Sequence, residues 1–112
     1  MAIRMDKPWI ALTRQAVSAL PGQLGVYQLA DADQRIVYIG FAGGHSLFGL
    51  RSELERALEQ GQGGASLFRY EVNQQYMTRR LELLMLHVAD HGALPVVNQS
   101  DPPERLGRLS PL

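Results

Sequence analysis

One carboxylate stands out for its surroundings. Glu82 sits inside the apolar run from Leu81 to Leu86. An ionised carboxylate taken out of water needs a compensating partner. The sequence offers three: a divalent metal ion, Arg79 or Arg80 within one helical turn, or solvent at a helix edge. Two tyrosines lie in short motifs ten residues apart, Gly25-Val26-Tyr27 and Tyr38-Ile39-Gly40. Taken singly, each reads as a cross-strand packing residue. Arg51 reads as a surface arginine able to pair with Glu55 at i,i+4. Asn98, three residues after Pro95, suits the capping of a short C-terminal helix or the closing of a turn. His87 and His91 are spaced i,i+4 and can face one direction, but no HExxH pattern or cysteine accompanies them, which argues against a zinc pair. His87 lies roughly 140° around a helix from Glu82, so those two are poorly placed to share an ion. His45, in a glycine-rich stretch, can touch a phosphate or be incidental to the site.

These residues need elements to position them. Ile10 to Leu20 has helical spacing (Ile10, Val17, Leu20) and ends at Pro21-Gly22. Leu24 to Ala30 alternates as a strand, with Tyr27 and Leu29 on one face and Val26, Gln28 and Ala30 on the other. Asp31-Ala32-Asp33-Gln34 is turn-like, and Arg35 to Gly40 is the hairpin partner. Phe41 to Ser46 reads as a loop, with Ser46 as N-cap of a helix over about Leu47 to Gln60. That helix has an apolar seam at Leu47, Leu50, Leu54, Ala57 and Leu58, and Gly61 stops it. Ser66 to Asn73 reads as a third strand. Met77 to His91 is apolar on nearly every side, which predicts a centrally buried helix, stopped by Gly92. Leu94 to Asn98 is expected to run extended, and Asp101 to Leu112 to form a loose tail.

Composition sets outer bounds. A chain of 112 residues fits one domain. No apolar run approaches the roughly 18 residues of a membrane span, and no signal-peptide pattern opens the chain. The absence of cysteine excludes disulfides and thiolate metal sites. A cytoplasmic protein is the expectation. Net charge is zero, which argues against nucleic-acid binding driven by bulk charge but leaves room for a local basic face. Gly40-Phe41-Ala42-Gly43-Gly44 follows a strand and precedes a helix, but its glycine spacing fits no dinucleotide fingerprint.

Taken in order, Gly-Val-Tyr, Tyr-Ile-Gly, a helix bearing Arg51, a strand, a helix bearing Glu82 and then Pro-x-x-Asn resemble the GIY-YIG nuclease superfamily over about residues 24–98. The resemblance implies an α/β (α+β) fold, a three-stranded antiparallel sheet flanked by helices. It implies a metal-dependent DNA endonuclease hydrolysing phosphodiesters with one Mg²⁺ or Mn²⁺. Tyr27 and Tyr38 would line the cleft and help activate water, Arg51 would bind the scissile phosphate, Glu82 would ligate the metal and Asn98 would brace the site. His45, Arg79 and Arg80 are secondary candidates for substrate contact. Such hydrolysis needs a Lewis acid, an activated water and a cation on the phosphate. A tyrosine is a poor base at its free pKa near 10 unless a metal or cation lowers it.

Two positions and one spacing depart from the family's usual pattern. Glu55 stands where a histidine or tyrosine commonly assists the base, Phe41 follows the second tyrosine motif, and the gap from Gly40 to Arg51 is long. They motivate the alternative expectation, a non-catalytic nucleic-acid-binding or protein-interaction module of the same fold, working with a larger DNA-processing partner.

Overall fold

The computed structural model describes residues 3–100, apart from the side chains of Gln62 and Ser100. The tail expected from Asp101 lies outside the described residues. The tyrosine motifs form a hairpin, β2 (Gly25–Ala30) and β3 (Ile36–Ala42). Asp31 builds its turn: the carboxylate accepts hydrogen bonds from the backbone N–H groups of Asp33 and Arg35 at 2.9 and 3.0 Å. Gln34 then adopts φ 65° to close the loop. A bulge between Leu29 and Ala30 shifts the register, so Leu29 faces Tyr38 while Ala30 faces Ile36.

The sheet has four antiparallel strands rather than the expected three, in the order β1-β4-β2-β3, with β4 at Leu67–Val72. The additional strand is β1, Ile10–Ala11, which pairs with Phe68 and Leu67. These residues were expected at the start of a helix. The helix α1 (Arg14–Ser18) begins later because the Thr13 hydroxyl accepts from the Ala16 N–H, capping it there. Ile10 and Ala11 are thereby left to extend the sheet.

Helices cover both faces. Against one, α1 and α2 (Gly49–Gln60) enclose a core of Val17, Leu20, Leu29, Leu50, Leu54 and Phe68, into which Tyr27 is packed. Against the other, α3 (Tyr76–His91) packs Leu83 and Leu84 on Val26 and Ile39. The expectation that α3 is buried centrally fails: Met77 and Met85 are exposed, since one sheet face can cover only one side of a helix. Helix α2 starts at Gly49, not Leu47. Phe48 is its N-cap, Ser46 makes no cap, and the Leu50 N–H bonds the Gln23 carbonyl at 2.9 Å. Leu47 therefore leaves the expected seam and is 82% exposed. Phe41 and Ala42 belong to β3 rather than to the loop. Gly61 and Gly92 end α2 and α3 in the left-handed conformation, as expected.

Instead of running extended, the chain after Pro95 forms α4 (Val96–Ser100) beside β3. Its purpose is visible at Asn98, 1% exposed. Strand β3 is an edge strand, and Ile39 turns its peptide groups outward. The Asn98 side chain meets both: its carbonyl oxygen accepts from the Ile39 N–H at 2.8 Å, and its amide donates to the Ile39 carbonyl at 3.1 Å. The amide thus replaces a neighbouring strand at one point and blunts the edge. No helix among the described residues is long and apolar enough to cross a membrane.

Truncating Asn98 orphans a buried donor and a buried acceptor, each costing about 1–3 kcal/mol. Asn98→Ala is expected to lose about 2–4 kcal/mol in urea denaturation, and Asn98→Asp, which turns a carboxylate oxygen towards the Ile39 carbonyl, is expected to recover little of it.

Candidate functional site

The two motif glycines have a packing reason. A Cβ at Gly40 would lie 2.6 Å from the rings of both Tyr27 and Tyr38, and one at Gly25 would lie 2.1 Å from the Glu71 carbonyl oxygen. Gly40 therefore lets the two rings approach, with centroids 5.9 Å apart and planes tilted by 49°. Register places both tyrosines on the α2 face of the sheet, since Tyr27 opposes Gly40 and Tyr38 opposes Leu29.

Tyr38 opens onto a cleft at the free edge of β3. Phe41 joins it from the same strand, His45 and Ser46 from the following loop, Glu53 and Arg56 from α2, and Tyr76 and Met77 from the start of α3. The Ser46 hydroxyl donates to Glu53 at 2.8 Å, and Arg56 stands 3.5 Å from the same carboxylate. Tyr76 holds the loop. Its ring stacks on Phe41 at 5.6 Å, and its hydroxyl accepts from the Gly44 N–H at 3.3 Å. Arg80 lies over the Phe41 ring at 5.4 Å, and its Nε is buried without a hydrogen-bond partner.

Tyr27 lies beneath this cleft, 4% exposed. Burial, and then the nearby Tyr38 and Glu53, push its phenol well above its ordinary value, with Arg56 opposing. It keeps its proton at neutral pH and is suited to donate a hydrogen bond rather than to take a proton.

The remaining candidates fall elsewhere. Arg51 and Glu53 are two residues apart on α2, roughly 200° around the helix, so they diverge. The Arg51 guanidinium lies over the exposed Phe48 ring at 5.0 Å, and no ion pair joins it to Glu55. Glu82 is on α3, across the sheet from the tyrosines. It is hydrogen-bonded to Arg79, whose Nε and Nη2 also bind the two oxygens of Glu71 at 3.0 and 3.1 Å. Glu71 opposes Val26, a residue of the α3 face. Burial lowers the Arg79 pKa, but its bonds to Glu71 and Glu82 outweigh that and raise it. Arg79 therefore serves these two carboxylates rather than an open surface. Of the expected site, the structure brings together Tyr27, Tyr38 and His45. Asn98 braces the strand that carries Tyr38, and Arg80 stands behind the cleft on Phe41.

Glu53 and Arg56 are cleft residues that the sequence reading missed. Their i,i+3 spacing resembles an ordinary solvated charge pair. The available signal was position: Glu53 lies one turn from both Leu50 and Ala57, at the margin of the buried seam. The carboxylate that the family resemblance assigns to a divalent ion is engaged by a cation of the protein itself: the Arg79 guanidinium lies between Glu71 and Glu82.

A tyrosine whose folded pKa is raised contributes its full stabilisation below the unfolded value near 10, and loses it as pH rises above that. In an ultraviolet pH titration, Tyr27→Phe is expected to remove an ionisation step that lies well above the ordinary tyrosine value. Stability should be unaffected by this group up to about pH 10 and decline beyond it. Loss of a step near pH 10 in Tyr27→Phe, rather than of a later one, would contradict the placement of Tyr27.

No curated protein and no solved structure matches the chain. Residues 3–90 match a family described as a domain of unknown function, DUF7508, a span that includes β1 to β4 and nearly all of α3. The chain belongs to the DUF7508 family.

Proposed function

We propose that this domain has a GIY-YIG-like fold and binds nucleic acid at the β3 cleft without cutting it. The observation that carries this reading is the separation of Glu82 from the tyrosines. Its carboxylate is committed to Arg79 on one face of the sheet, while Tyr27 and Tyr38 pack on the other. The cleft offers features that suit a nucleotide chain: stacked Phe41 and Tyr76, with Arg56 and His45 at the mouth. Aromatic faces accept bases with little sequence preference, and arginines meet phosphates. Few cations are involved and Glu53 offsets one, so affinity is modest. On this reading the protein works in the cytoplasm, alongside a larger DNA-processing partner.

A second reading, the Mg²⁺- or Mn²⁺-dependent endonuclease, is favoured by the tyrosine pair and by the Asn98 brace. It requires Arg79 to release Glu82. A protein-interaction role is favoured by the exposed Met77 at the cleft and by the exposed Leu47 and Phe48 before α2.

Labelled single-stranded, duplex and branched DNA, incubated with the protein in Mg²⁺, Mn²⁺ or EDTA, separates the three. The expected result is no cleavage, with binding that weakens as salt rises at a logarithmic slope of about −1 to −2, the signature of one or two phosphate contacts. Arg56→Ala should weaken that binding several-fold. Metal-dependent cutting that disappears in Glu82→Gln would overturn the proposal for the nuclease, and absence of binding to every form would overturn it for the interaction module.

A further inference from the structure

Helix α3 ends on His87-Val88-Ala89-Asp90-His91. Residues i and i+4 lie on one side of a helix, one turn apart. The two imidazole centroids are 4.4 Å apart, with planes tilted by 37°. The Nδ1 of His87 stands 2.9 Å from the Ala93 carbonyl oxygen. A carbonyl can only accept, so Nδ1 carries the proton and Nε2 keeps a free lone pair. Ligating histidines are commonly oriented in this way, one nitrogen tied to a carbonyl and the other left for a metal. Two imidazoles each about 2 Å from one ion, at an angle between a right angle and the tetrahedral value, have centroids roughly 4.5–5 Å apart. The observed separation lies just below that range. Both line a cavity on the α3 face that also meets Arg4, Met5 and Gln28. Asp90 shares that region, but Arg4 holds its two oxygens at 2.6 and 2.9 Å, so it is not counted as a ligand.

We propose that His87 and His91 form a two-imidazole site for a borderline divalent cation such as Zn²⁺, Ni²⁺ or Cu²⁺, with water completing its shell. Neutral imidazoles select these ions over Mg²⁺ and Ca²⁺, which prefer oxygen. The site lies at the far end of α3 from Tyr76 and the cleft, and it does not rest on the nucleic-acid reading. A bound ion cross-links two successive turns of α3 and stabilises the folded chain by mass action.

The test is titration of the full chain, free of any histidine tag and stripped with EDTA, with ZnCl₂. Heat is read by calorimetry and imidazole resonances by NMR. The expected result is one equivalent of Zn²⁺ bound, with shifts confined to His87 and His91 and none produced by Mg²⁺. His91 is exposed, so His91→Ala should fold normally by circular dichroism while losing about tenfold or more in affinity. His45→Ala should bind as the parent does. Unchanged affinity in folded His91→Ala, shifts centred on other residues, or no response of the two rings at millimolar Zn²⁺ would overturn the proposal.

Discussion

The arrangement of this domain depends on one side-chain amide. Strand β3 carries Tyr38 and Gly40, and it lies at the edge of the sheet with peptide groups facing away from β2. An edge left open is both a site of fraying and a template for unwanted pairing. Asn98 closes it at Ile39 with two hydrogen bonds inside the protein, where an unmet group is costly. No other side chain supplies a donor and an acceptor in the plane of a peptide as Asn or Gln does. The short helix α4 exists, in structural terms, to deliver that amide to β3.

With β3 fixed, the sheet sorts the remaining chemistry by face. Alternation along β2 sends Tyr27 and Leu29 towards α1 and α2, and Val26 towards α3. The charged groups that reach the tyrosine pair then come from α2, namely Glu53 and Arg56. Glu82 and Arg79, on α3, meet the other face and the partner that register provides there, Glu71. Burial lifts the Glu71 carboxyl, but hydrogen bonds from Arg79 and Asn73 more than reverse this and hold it below its ordinary value. Two carboxylates around one guanidinium make a closed ionic group, and its stability is a reason for Glu82 to remain where it is.

Local features of the fold were legible in the sequence. The hairpin turn at Asp31 and the glycine stops at Gly61 and Gly92 are decided within a few residues, so pattern alone suffices. Elements decided by distant partners were not. Ile10–Ala11 becomes a strand because Phe68 and Leu67 lie beside it, and α4 forms where Ile39 receives Asn98. The apolar content of α3 suggested central burial, yet a helix on a sheet leaves Met77 and Met85 outside. At the site, the tyrosine pairing followed from hairpin register. The cleft roles of Glu53 and Arg56 did not, because charged positions beside a buried seam look alike whether they face solvent or a neighbouring tyrosine. The divergence of His87 from Glu82 and the shared direction of His87 and His91 were readable from helical geometry, but the contact of the His87 Nδ1 with the Ala93 carbonyl was not.

Native-state hydrogen exchange at the Ile39 amide tests the central claim most directly, since this single donor reports whether Asn98 seals the edge. The account predicts that Ile39, although on an edge strand, is protected to about the same degree as the amides of the central strand β2, and that its exchange accelerates at least tenfold for each 1.4 kcal/mol lost when Asn98 is replaced. Fast exchange of Ile39 in the intact protein, at the rate of an open edge, would contradict it.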